Sequence, residues 1–160
     1  MRPSADVLTG LFENAPRFVE RLLAEDVASY GELIDRAERL AAELPEDEQI
    51  ELIDGHPRIG ADPWSVSTQS YREQGYHRVA SEGDEGLARR LDHLNAEYEG
   101  HFGFRFCIFV DGRPRYQVAD IMESRLGAGR EDELQRGLSD VFAIARNRLG
   151  KLTQPLEEAR

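Results

Sequence analysis

The sequence predicts an all-α fold, a single domain over residues 1–160 built as a bundle of about seven to eight helices with one extended, buried connector near 104–110. Three observations carry this expectation. Apolar residues recur at helical spacing through most of the chain. Proline, glycine and capping side chains punctuate that pattern at intervals suited to short helices. The one stretch with strand-like alternation has no second stretch to pair with.

Ser4 stands where an N-cap belongs, ahead of Val7, Leu8, Leu11 and Phe12 on one stripe. Pro16 is placed to open a second helix, with Phe18, Val19, Leu22 and Leu23 at the same spacing. Ser29 and Glu32 form a capping-box pattern, after which Ile34, Ala37, Ala41 and Leu44 repeat until Pro45. Pro45-Glu46-Asp47 then has the proline and early acids of a helix start, Ile50 and Ile53 supply its apolar face, and Gly55 is expected as a left-handed terminating residue. This puts His56-Pro57 just past a helix end. Ile59 to Val66 reads as a loop, and Ser67 or Thr68 caps a polar helix running through Gln74. Ser81 is expected to cap a longer helix, with Leu87, Leu91, Leu94 and Tyr98 on one face and an end near Gly100 and Gly103. Phe104, Phe106, Ile108 and Val110 alternate with Arg105, Cys107 and Phe109, and Asp111-Gly112 makes a turn. Val118, Ile121, Met122 and Leu126 return to helical spacing before Gly127, and Leu134, Leu138, Val141, Phe142, Ala145 and Leu149 mark the last helix.

With 31 Asp and Glu against 20 Lys and Arg, the net charge of −11 argues against a protein built to grip phosphate backbones, so nucleic acid is not an expected partner. A local arginine still permits an anionic substrate. No apolar run approaches the roughly 20 residues that span a bilayer, and the N-terminus lacks a signal-type apolar stretch, so the expectation is a cytoplasmic protein without a membrane partner. Cys107 alone forms no internal disulfide, and its apolar surroundings favour a core role over a reactive one.

His56, His77, His93 and His101 show no metal-ligand spacing; on a helix, His93 and His101 would lie roughly 12 Å apart at ~1.5 Å per residue. No phosphate-binding glycine loop or nucleophile elbow is present. What remains is Ser70, Glu73 and Gln74 at i, i+3 and i+4, which places a hydroxyl, a carboxylate and an amide on about one helical turn. Taken alone, such a triplet is more often a solvated face. His56 is similarly open, either a residue bonding carbonyls at a helix end or a proton-transfer group near neutral pH.

In order and spacing, Gly55-His56-Pro57-Arg58-Ile59-Gly60, Ser70-Tyr71-Arg72-Glu73-Gln74, Leu94-Asn95-Ala96-Glu97-Tyr98 and Phe102-Gly103-Phe104-Arg105-Phe106 resemble the 2-oxo-4-hydroxy-4-carboxy-5-ureidoimidazoline (OHCU) decarboxylase family. Leu11-Phe12-Glu13-Asn14-Ala15-Pro16 and the helix through Ile144 to Leu149 extend the resemblance over nearly the whole chain. It implies an all-helical homodimer that needs no cofactor or metal and forms (S)-allantoin late in urate breakdown. It also implies His56 and Glu73 as catalytic residues, and Pro57, Ser70, Gln74, Arg148, Phe106 and Ile108 as substrate-binding ones, with Arg146 the alternative to Arg148. Arg58 and Arg105 depart from the family's usual acidic residue and proline. They keep open a second reading, an enzyme of the same fold acting on another cyclic ureide or carboxylated heterocycle. A non-enzymatic binding module is the third.

Overall fold

The computed structural model describes residues 1–60, 67–74 and 85–152. Among these the fold is all-α, with eight helices and no strand: α1 Ala5–Leu11, α2 Pro16–Leu23, α3 Tyr30–Glu43, α4 Glu46–Asp54, α5 Thr68–Glu73, α6 Glu85–Phe102, α7 Arg115–Arg125 and α8 Arg130–Leu152. Two compact units are present, one of Met1–Gly55 with Leu138–Arg160 and one of His56–Gly137. No helix of the described residues is long and apolar enough to cross a membrane.

In the first unit the local signals act as read, with two exceptions. Pro16 occupies the first turn of α2, where its missing N–H leaves no intrahelical bond unmade. Ser29 Oγ accepts from the Glu32 N–H at 3.1 Å, while the Glu32 carboxylate takes the Ala28 N–H at 2.6 Å, one residue outside the usual reciprocal bond. Ser4 sits at the N-cap of α1, yet its side chain makes no capping bond. Gly55 is not left-handed: its φ of −64° and ψ of −25° are right-handed helical values. The reason for glycine is a close approach instead, since a Cβ there would lie 2.1 Å from the Glu13 carbonyl oxygen. Around this contact the core is aromatic and aliphatic. Phe12 meets Phe18 and Phe142 edge-on at 5.1 and 5.6 Å, among buried Leu8, Leu11, Leu22, Leu33, Ile34 and Ile53.

The second unit packs α6 against α7, with Leu91, Leu94, Tyr98 and Phe102 buried along one face of α6 and Val118, Ala119 and Met122 buried on α7. Leu87 is only half-buried, and Ser81, expected to cap this helix, lies outside the described residues. Phe104 to Val110 is extended, buried at Phe104, Phe106, Cys107, Ile108 and Val110, and part of no sheet. Its main-chain groups therefore need side-chain partners, and Arg136 supplies one by donating to the Cys107 carbonyl at 3.0 Å. Asp111 and Gly112, both with positive φ, turn the chain toward α7.

Candidate active site

His56 follows Gly55, the C-cap of α4, on a loop whose described part runs to Gly60. The imidazole-bearing residue is buried, 6% exposed. Beyond the loop, Ser67 caps α5 by accepting the Ser70 N–H at 3.0 Å, so the short helix starts where its sequence predicts. Its last turn is not a solvated face. Ser70 and Gln74 are 3% and 7% exposed, and Glu73 is half-buried.

Gln74 ties this turn to the His56 loop. Its Oε1 accepts the Gly60 N–H at 2.9 Å and its Nε2 donates to the Arg58 carbonyl at 3.1 Å. Sequence reasoning assigned Gln74 to substrate alone; the structure gives it this main-chain role, which no local pattern announces. Helix α6 holds the same loop from a second direction. Asn95 Nδ2 donates to the Ile59 carbonyl at 3.0 Å, and Arg58 forms a two-point pair with Glu99, Nη2 to Oε1 at 2.9 Å and Nε to Oε2 at 2.7 Å. The Glu99 hydrogen bond raises the Arg58 pKa further, so that cation is already matched by a carboxylate. Gly60 has a φ of +79°, a conformation costly for a side-chain-bearing residue, and an added Cβ would also meet Leu91 Cδ1 at 3.1 Å. From the connector, Arg105 Nη1 donates to the His56 carbonyl at 3.2 Å. Both departures from the family pattern thus have structural partners.

Phe106 and Ile108 are buried on the connector, just after Arg105. Phe106 is a core ring, 5.2 Å from Tyr98 and under the Arg136 guanidinium at 5.0 Å. Beside it lies a network sequence reasoning missed. The Tyr98 hydroxyl donates to Glu133 Oε1 at 2.7 Å, and Arg136 Nε donates to the same oxygen at 2.7 Å. Burial, and then the Glu133 hydrogen bond, push the Tyr98 hydroxyl well above the ordinary phenol range, so it stays a donor. The only signal available was an acid three residues before Arg136.

Arg148, in the first unit, is 1% exposed. Its Nη2 lies 2.6 Å from Glu13 Oε1 and its Nη1 donates to the Gly10 carbonyl at 3.0 Å. Arg146 is instead exposed and paired with Asp35 and Glu38 at 3.1 and 2.8 Å. Of the two candidates, Arg148 is buried and Arg146 is exposed. Pro57 is half-buried on the loop. Among the described residues no group of three or more His, Cys, Asp or Glu side chains is placed to hold a metal.

Comparison with known proteins extends this picture along the chain. The family model for OHCU decarboxylase matches residues 3–150. The uric acid degradation bifunctional protein of Bacillus subtilis is 29% identical over 151 residues, 92% of this chain, which spans only 30% of that protein's length. The 2-oxo-4-hydroxy-4-carboxy-5-ureidoimidazoline decarboxylase of Halalkalicoccus jeotgali is 29% identical over 158 residues, covering 94% of this chain and 85% of that one. A crystal structure of an OHCU decarboxylase in the presence of (S)-allantoin shares the fold, with a TM-score of 0.75 at 18% identity over 94% of this chain and 98% of the other. With a match that runs through α1 to α8 and takes in His56, Ser70, Glu73 and Gln74, the chain belongs to the OHCU decarboxylase family.

Proposed function

We propose that the chain decarboxylates 2-oxo-4-hydroxy-4-carboxy-5-ureidoimidazoline to (S)-allantoin, the activity that the names of its relatives describe, in urate breakdown. The observation that carries this reading is the pair of bonds from Gln74 to residues 58 and 60, which sets the Ser70–Glu73–Gln74 turn beside the loop bearing His56. The reaction breaks the bond between C4 and the carboxyl carbon. Its electron pair forms a C4–C5 double bond while the C5–N π pair moves to nitrogen, which takes a proton. The resulting enol then gains a proton at C5, on one face, and loses its hydroxyl proton to become the C4 carbonyl.

His56 is the group to exchange the hydroxyl proton. Glu73 accepts ureido N–H bonds and fixes the ring's orientation, and Ser70 holds a ring polar group. Gln74 spends one N–H and one lone pair on the loop, and its second N–H and lone pair are what a ureido group meets. Pro57, Phe106 and Ile108 supply apolar walls. Arg148 serves best on the oxygen that gains charge, because a tight grip on the departing carboxylate stabilises the ground state. The alternative substrate loses part of its support here, since Glu99 already matches Arg58.

The two units are read as one decarboxylase domain, because the family match runs through both. The domain is further read as a cytoplasmic homodimer working without metal or cofactor. The test is an assay on freshly generated substrate, following circular dichroism for (S)-allantoin, before and after exhaustive chelation. Turnover is expected in both conditions. Absence of turnover overturns the decarboxylase reading, and loss restored by one divalent ion overturns the metal-free one.

A further inference from the structure

We infer that Arg105, Gln74 and Asn95 are positioning residues for His56, because together they bind the loop that carries it through successive main-chain groups. The inference rests on His56 being the proton-transfer group. Residues 56–60 belong to no helix or strand, so their polar main-chain groups have no ladder to join. Arg105 takes the His56 carbonyl at 3.2 Å, Gln74 the Arg58 carbonyl at 3.1 Å, Asn95 the Ile59 carbonyl at 3.0 Å, and Gln74 again the Gly60 N–H at 2.9 Å. The three side chains come from the connector, α5 and α6, so the loop is gripped from three separate elements.

Asn95 is the most telling of them. It is 1% exposed, and its Oδ1 is buried with no hydrogen-bond partner. Packing alone does not explain an amide there, since leucine has similar volume and brings no side-chain acceptor of its own to strand. The bond from Nδ2 to Ile59 does explain it, and the orphaned oxygen is the cost of keeping that bond. A buried amide kept with one of its groups unsatisfied is what a functional site is expected to carry. A loop without regular hydrogen bonding otherwise belongs to the mobile end of a fold, and an error of about 1 Å in a proton-transfer group costs roughly a hundredfold in rate.

The experiment compares Asn95→Leu, Arg105→Met, Arg105→Lys and His56→Asn with the parent chain, measuring melting temperature, kcat, KM and the enantiomeric excess of allantoin. Asn95→Leu removes the orphaned Oδ1 but takes this donor from the buried Ile59 carbonyl, so its melting temperature is expected to stay near the parent's. Its kcat is expected to fall about tenfold or more with KM within about twofold, and its product to lose handedness. Arg105→Met is expected to lose kcat in the same way, and Arg105→Lys, which keeps a donor, to recover part of it. Should Asn95→Leu fail to fold, the Arg105 pair decides. Folded variants with the parent's kcat and enantiomeric excess overturn the inference while inactive His56→Asn leaves the decarboxylase reading standing. Parent-like turnover in His56→Asn overturns both.

Discussion

The His56 loop and the 104–110 connector are both irregular and both carry buried side chains, yet they are held by opposite means. The connector is held mainly by rings: Phe104 stacks on Phe102 at 5.8 Å, Phe106 meets Tyr98 edge-on at 5.2 Å, and Arg130 and Arg136 lie over Phe104 and Phe106. The loop is held by four directional bonds to its main chain. Burial of rings is non-directional, whereas a hydrogen bond weakens steeply with angle. Changes at the connector's rings should therefore appear first in stability, and changes at the side chains that grip the loop first in turnover.

The largest stability effect separates the two regions most sharply. Phe106→Ala should cost about 3–5 kcal/mol in denaturant unfolding, because a fully buried ring leaves a cavity. A cost below about 1 kcal/mol would show that rings do not hold the connector. The contrast extends to α8. Removing the Arg148 side chain leaves the Glu13 carboxylate, only 11% exposed, without that partner and should cost about 3–5 kcal/mol, while Arg146→Ala, at an exposed pair, should stay within about 1 kcal/mol. Equal losses at the two positions would contradict the burial assigned to them.

A smaller effect comes from Tyr98. Tyr98→Phe should cost about 1–3 kcal/mol by taking one donor from Glu133. Its folded pKa is raised, chiefly by burial, so its contribution is fully present below the unfolded phenol value near ~10 and is lost as pH rises beyond it. Urea midpoints should therefore fall above about pH 10 in the parent, and less steeply in Tyr98→Phe. Parallel curves would remove Tyr98 from the alkaline transition. The smallest effect is expected at Arg58→Ala, within about 1 kcal/mol, because the pair with Glu99 is half exposed on the arginine side.

Helix identity was legible in the sequence because its determinants are local. Pro16, Ser29 with Glu32, and Ser67 act within one turn of where they stand. The connector was legible by elimination, since alternation without a partner strand leaves extended burial as the remaining choice. Gly55 was misread because its cause is a carbonyl 42 positions earlier, at Glu13, and not the helix end it occupies. The loop's partners were invisible for the same reason. Asn95 and Arg105 act on residues 36 and 49 positions away, and a side chain reaching a distant main-chain group leaves no spacing to read. The family resemblance picked out His56, Ser70, Glu73 and Gln74. It did not anticipate that Gln74 braces the loop, or that Glu13 and Gly10 hold Arg148.

The most direct test of the account is His56→Asn, with melting temperature and (S)-allantoin formation measured on the same sample. Asparagine keeps a polar side chain at this buried position and leaves the main-chain bonds from Arg105, Gln74 and Asn95 in place, so the melting temperature should stay close to the parent's. Turnover should fall by about two orders of magnitude or more, the scale of a lost and well-placed proton-transfer group. A folded variant that forms (S)-allantoin at near the parent rate would contradict the account.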